Sequence, residues 1–259
     1  PRTFSSAASD VYKRQFNADT PLTTYRSEVW RVVESQEDVA TLSIVDDLAE
    51  QALLESLLDQ HAKPVYRDGT EQMHYLLKTA FRYPPLPWGS RFGTTLMPSY
   101  FYASEAASTA LCECAYYRFL FLADMVEPYT ESVRSQFCLF KVLVNTPSAL
   151  DLTSTVFEPV HHGLRAPDSY AYSQQVGRWA YDSGRVDLIR YESARRPSGI
   201  NVAIHSPAAI RSRKPLLQQR WLCLTKPDSV SFSSRESDTS YLFKRHEFSD
   251  GLGRLYRIT

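Results

Sequence analysis

The chain has 259 residues, 43% of them hydrophobic, which is enough to bury a full core in one large domain. Its 29 lysines and arginines balance 29 aspartates and glutamates, so no overall field draws it to nucleic acid or to an anionic membrane. Four cysteines, Cys112, Cys114, Cys138 and Cys223, form no CxxC pair, which argues against zinc and a disulfide framework and sets the expectation of a reducing cytoplasm.

In chain order, Asp10-Val11-Tyr12-Lys13-Arg14-Gln15 reads as the translation of a transposon-end sequencing adaptor, and residues 1–15 are set aside as a non-native or disordered leader. No basic segment followed by a greasy one begins the chain, and no apolar run reaches the roughly 18 residues of a membrane span, so an unexported protein away from membranes is expected. Val29 to Val33 is β-branched and broken by one arginine, which predicts a first strand with Arg31 facing away from Trp30 and Val32. Asp46 to His61 repeats leucine and alanine at helical spacing, with Asp46 or Asp47 as the cap, and Glu71 to Phe81 predicts a second helix stopped by Pro84-Pro85. Ser99 to Ala103 predicts a short aromatic strand, Ser104 a cap, and Glu105 to Met125 a long, largely apolar helix. A strand over Gln136 to Val144, a helix over Asp168 to Ser183 and strands over Val186 to Tyr191 and Asn201 to His205 follow. The tail from 211 is expected to be an appended hairpin, with strands at Trp221 to Thr225 and Tyr241 to Phe248 around a serine-rich loop, Ser229 to Ser240. Strands and helices do not alternate strictly, so the fold class is α+β. No internal repeat and no glycine-rich phosphate loop is present.

Glu113 carries the chemistry. It interrupts the greasy run Thr109 to Phe121, where an ionised carboxylate demands a partner or a task. Arg91, at the end of a turn-rich segment, and Tyr102, in the aromatic strand, precede it. Arg91 is the expected partner of Glu113. Taken singly, each of these residues has an ordinary structural role, Arg91 with Glu113 as a buried ion pair and Tyr102 as core. The adjacent pair His161-His162 has no spaced companion that would make a metal site, so no metal is expected.

Trp30-Arg31, Gly89-Ser90-Arg91-Phe92, Phe101-Tyr102-Ala103-Ser104 and Thr109-Ala110-Leu111-Cys112-Glu113 together resemble the bacterial RES domain family, the toxin half of Res-Xre toxin–antitoxin pairs. Arg91, Tyr102 and Glu113 stand at equal intervals of 11 residues, as in that family. Tyr172-Ser173-Gln174 and Tyr191-Glu192-Ser193-Ala194-Arg195, followed by Gly199-Ile200-Asn201, are similar to its serine-bearing part, which leaves Ser173 and Ser193 both open as the functional serine. The chain departs from short members by a helical insertion over 46–81 and by Gly93, where many relatives have asparagine. A RES domain over 16–210 with a C-terminal extension over 211–259 is the expected organisation.

The resemblance implies an ADP-ribosyltransferase-like mixed β core and an enzyme that destroys NAD+ at the nicotinamide–ribose bond, by hydrolysis or phosphorolysis. NAD+ is then the substrate, with no resident cofactor, and an Xre-type antitoxin is the implied partner. Glu113 would stabilise positive charge on the ribose, Arg91 and Arg31 would hold the diphosphate, and Tyr102 would stack on nicotinamide. Ser173 or Ser193, with Asn201, would complete substrate binding. Two other readings share the scaffold: transfer of ADP-ribose onto a protein, and a non-catalytic binding module.

Overall fold

A computed structural model describes residues 16–35, 47–57, 64–83, 85–127 and 131–258. The leader, Leu58 and Pro84 lie outside the described residues. The architecture is mixed α+β, an eight-stranded sheet with helices on its faces. Strands are β1 (Thr23–Glu34), β2 (Phe101–Ser104), β3 (Val133–Asp151), β4 (Leu188–Glu192), β5 (Ile200–Ile204), β6 (Leu217–Thr225), β7 (Ser229–Ser234) and β8 (Thr239–Lys244). Helices are α1 (Leu48–Leu57), α2 (Tyr75–Lys78), α3 (Ala107–Ala123), α4 (His161–Leu164) and α5 (Ala171–Ser183).

Strand order is β1-β2-β5-β4-β3-β6-β7-β8, and β1 also pairs with β3. Strands β1, β2, β5, β4 and β3 therefore close on themselves. The 19-residue β3 makes this possible: one edge holds antiparallel β1 from Phe137 to Ala149, while the other holds β6 and then parallel β4 at Ala149 to Asp151. Closure between β1 and β2 rests on Trp30 opposite Ser104.

Side-chain alternation sorts residues between faces. Phe101 and Ala103 of β2 and Val202 and Ile204 of β5 join Val29, Phe140 and Val142 in one core, which Leu76, Leu77 and Phe81 plug. Tyr102, Ser104, Asn201 and Ala203 consequently point the other way. There Phe92, Ile189, Tyr191 and Ala203 pack with Val176 and Ala180 of α5. A third core joins Leu111, Ala115, Tyr116 and Phe119 of α3 to β3, β6, β7 and β8.

The segment expected as an insertion divides in two. Asp47 caps α1, its carboxylate accepting from the amides of Ala49 and Glu50 at 2.7 and 2.8 Å. Leu53 and Leu57, one helical turn apart on the same stripe, are 61% and 46% exposed, so the leucine stripe of α1 is not covered by the described residues. Leu76 and Leu77 on α2 are buried, and a 3₁₀ turn over Thr79–Phe81 prolongs that helix.

The tail is no detached hairpin but continues the sheet by three strands. The serine-rich stretch expected as a loop contains β7, because Val230 and Phe232 alternate inward between serines. Ser104 is no cap either: it belongs to β2, and α3 begins after Ala106 without a side-chain cap.

Candidate active site

Glu113 escapes the cost of burial because α3 is not apolar all round. Leu111, Ala115 and Phe119 face the core, while Glu113 and Tyr117, four residues apart and so on one stripe, face a cavity of about 340 Å³. The expected partner, Arg91, is engaged elsewhere. Instead Ser193 Oγ and Asn201 Nδ2 both donate to Glu113 Oε1, each at 2.6 Å. Among the described residues no hydrogen bond reaches Oε2.

Both donors are themselves fixed. Ser193 N bonds Gly199 O at 2.7 Å, closing the turn between β4 and β5. Within it, Ser193 Oγ accepts from the amides of Arg195 and Arg196, each at 3.0 Å, so its hydroxyl proton is left for Glu113. Ser104 Oγ donates to Asn201 Oδ1 at 2.6 Å, which turns the amide's NH₂ toward Glu113. A carboxylate only accepts, so this orientation of the amide is chemically consistent.

Arg91 sits in a turn built by close contacts. Gly89 has φ of +76°, and a Cβ there would lie 2.3 Å from Gly93 O. Gly93 leaves room for the serine: Ser90 Oγ folds back to accept from Gly93 N at 3.1 Å, and a Cβ on Gly93 would lie 2.8 Å from it. Asparagine at 93 would require Ser90 to turn away and give up that bond. Arg91 is buried, its Nη1 donating to Leu164 O at 3.0 Å and to Ala166 O at 3.3 Å, its Nη2 to Ala166 O at 3.3 Å. Its guanidinium covers the Tyr170 ring, 4.9 Å from the centroid. Arg91 thereby ties the turn to the segment after α4, at the wall of the cavity.

Tyr102 Oη accepts from Phe92 N at 3.1 Å and shares a proton with Ser90 Oγ at 2.8 Å. Burial pushes its hydroxyl up to about 12, and the bonds from Ser90 and Phe92 oppose that. Arg31 donates through Nη1 to Tyr102 O at 2.6 Å and lies over Phe101, with Nε buried and unbonded. Burial draws Arg31 down to about 10, so it stays charged at neutral pH.

The structure brings Arg31, Arg91, Tyr102, Glu113 and Asn201 to one cavity wall, with Ser193 bonded behind the carboxylate. Ser173 is not among them. It is fully buried on α5 and donates to Tyr170 O at 3.2 Å. Arg195, Tyr117, Tyr170 and Tyr191 also line the cavity and were not singled out by sequence reasoning. Tyr117 was legible in principle, as the helical neighbour of Glu113. Beside it opens a larger cavity of about 1000 Å³, which shares Arg31, Ser90, Tyr102 and Tyr117. Its outer wall comes from Tyr75 to Gly89, including Leu76, Tyr83 and Trp88. His161 bonds Leu152 O through Nε2 at 2.8 Å, and among the described residues no cluster suits a metal ion. No described helix is long and apolar enough to cross a membrane.

No curated protein matches the chain. The solved structure "Crystal structure of the M.tuberculosis MbcT-MbcA toxin-antitoxin complex" contains a chain with 13% identity and a TM-score of 0.45, over 80% of this chain and 87% of that one. A family model of the RES domain matches residues 64–225, from just before α2 to the end of β6. That segment is well over half of the protein, and the chain belongs to the RES domain family.

Proposed function

We infer that the protein is an enzyme that cleaves the bond between ribose and nicotinamide in NAD+, acting as the toxin of a toxin–antitoxin pair. One observation carries the reading: Glu113 is held through one oxygen by Ser193 and Asn201 on a cavity also lined by Arg31 and Arg91. The bond electrons leave with the nicotinamide nitrogen, which becomes neutral, and positive charge develops on the ribose. A fixed carboxylate oxygen stabilises that charge. The anomeric carbon then bonds either a water oxygen, which loses one proton to solvent, or an anionic phosphate oxygen, which has none to lose. Electrostatic stabilisation of this kind is worth about 2.7–4 kcal/mol per fixed group.

Arg31 is suited to a substrate phosphate because it is charged, half-buried and only partly satisfied, its Nε buried without a partner. Tyr102 contributes position, since its hydroxyl is committed to the arginine turn. The family reading brings a partner with it, an Xre-type antitoxin that covers the pocket. Exposed Tyr75, Leu86 and Trp88 on the larger cavity offer that partner an apolar rim.

Incubating the purified protein with NAD+ labelled on the adenylate moiety, and following free nicotinamide and label on protein, tests the reading. Nicotinamide released with the label left in solution is expected. Label on protein would replace cleavage by ADP-ribosyl transfer, and intact NAD+ would leave a binding module.

A further inference from the structure

Arg195 follows the Ser193 turn and is 6% exposed on the wall of the Glu113 cavity. Its guanidinium lies flat on Tyr116, 3.6 Å from the ring centroid. Both terminal nitrogens, Nη1 and Nη2, are buried without a hydrogen-bond partner. Two other buried arginines are answered: Arg91 by carbonyls, and Arg118 by the hydroxyls of Thr225 and Ser135. Stacking uses the face of a guanidinium and leaves its edge, where the N–H donors point, unused. A ring face repays only part of the cost of burying a cation.

The backbone around Arg195 is fixed on both sides. Its amide donates to Ser193 Oγ at 3.0 Å, and its carbonyl accepts from Cys112 Sγ at 3.5 Å. The backbone that carries the guanidinium is thus attached to the same serine that holds Glu113. An anion placed against it would share the cavity with that carboxylate, and Arg31, Arg91 and Arg195 on the walls make a second negative group tolerable there.

We propose that Arg195 binds a phosphate-type oxyanion through Nη1 and Nη2, the planar fork matching two oxygens of one group. The inference rests on the NAD+ reading only for the identity of the natural ligand. That ligand is either the diphosphate of the dinucleotide or free phosphate arriving as acceptor, and the recognition chemistry is the same.

The experiment uses the full chain, as wild type and as Arg195→Met, which keeps length and removes charge. Calorimetry with inorganic phosphate and with ADP-ribose, the Tm and the KM for NAD+ are the readouts. Arg195→Met keeps or raises Tm, because a desolvated charge is gone, and weakens one probe by about tenfold or more. The probe that loses affinity names the source. Should the methionine variant fail to fold, Arg195→Lys keeps the charge, loses the fork, and shows the same weakening. A lower Tm with both affinities unchanged overturns the proposal and leaves Arg195 as a stacking partner of Tyr116. Wild-type protein that binds neither probe also overturns it. Phosphate binding lost in the variant, in a protein that releases no nicotinamide, sinks the NAD+ reading and leaves Arg195 in place; nicotinamide release with unchanged KM and affinities does the reverse.

Discussion

Ser193 donates its hydroxyl to Glu113 across 2.6 Å while its own oxygen is occupied by two backbone amides. The serine cannot rotate its proton away without abandoning that turn, so it acts as a one-way donor. A positioning role follows, and no nucleophilic one, since the two amides already occupy the lone pairs with which the oxygen would attack.

Glu113→Gln is the sharpest test of the carboxylate. The amide oxygen can still accept from Ser193 and Asn201, so the fold should survive with the charge removed. Nicotinamide release should fall by about 10²–10³ in kcat, the scale of one preorganised electrostatic group. Turnover within a few-fold of wild type would show that the charge is not used.

Arg91→Lys separates binding from architecture. Lysine keeps the charge but cannot reach Leu164 O and Ala166 O with one planar group or cover Tyr170. A loss of about 1.5–3 kcal/mol in unfolding free energy is expected, because these are charge-assisted bonds inside the protein. Denaturant titration measures it, and an unchanged midpoint would rule out the anchoring role.

Leu77→Ala and Leu53→Ala should differ widely. Leu77 is fully buried in the core beneath β1, β2 and β5, and its truncation should cost about 2–5 kcal/mol. Leu53, exposed on α1, should cost no more than about 0.5 kcal/mol in the isolated protein. Comparable losses would mean that α1 packs on the core in solution.

His205 gives the protein an acid-side slope. Burial first, and then the Arg67 charge, hold its imidazole down at about 4 against an ordinary value of 6.5. Between those values the unfolded chain binds more protons than the folded one, so stability falls as pH drops from 6.5 toward 4. His205→Phe keeps the ring between Tyr100 and Tyr181 and should flatten that part of the pH–stability curve. Parallel curves for the two proteins would exclude His205 as the source.

Much of this was legible in the sequence, where the local signal was strong. Alternating or apolar runs marked seven of the strands, and the carboxylate in an apolar helix marked the cavity. What stayed hidden depends on contacts distant along the chain. Nothing local says that Arg91 will be taken by carbonyls some 73 residues on, or that Glu113 will find Ser193 and Asn201, 80 and 88 residues away. Ser173 and Ser193 look alike as sequence, and the fold separates them: one lies on the inner face of α5, the other in a turn at the cavity. β7 was missed because serine is common in loops, although every second residue already obeyed strand periodicity.

Strand β1 lies before the segment that the RES model matches, yet it supplies Arg31 and covers β3 from Phe137 to Ala149. A protein trimmed to residues 64–225 would therefore expose a long row of unpaired amides and carbonyls on β3, a template for another chain. Such a fragment should self-associate. The family boundary is thus no guide to an expressible unit, and the strand that carries one arginine of the pocket is also what keeps this edge of β3 from recruiting neighbours.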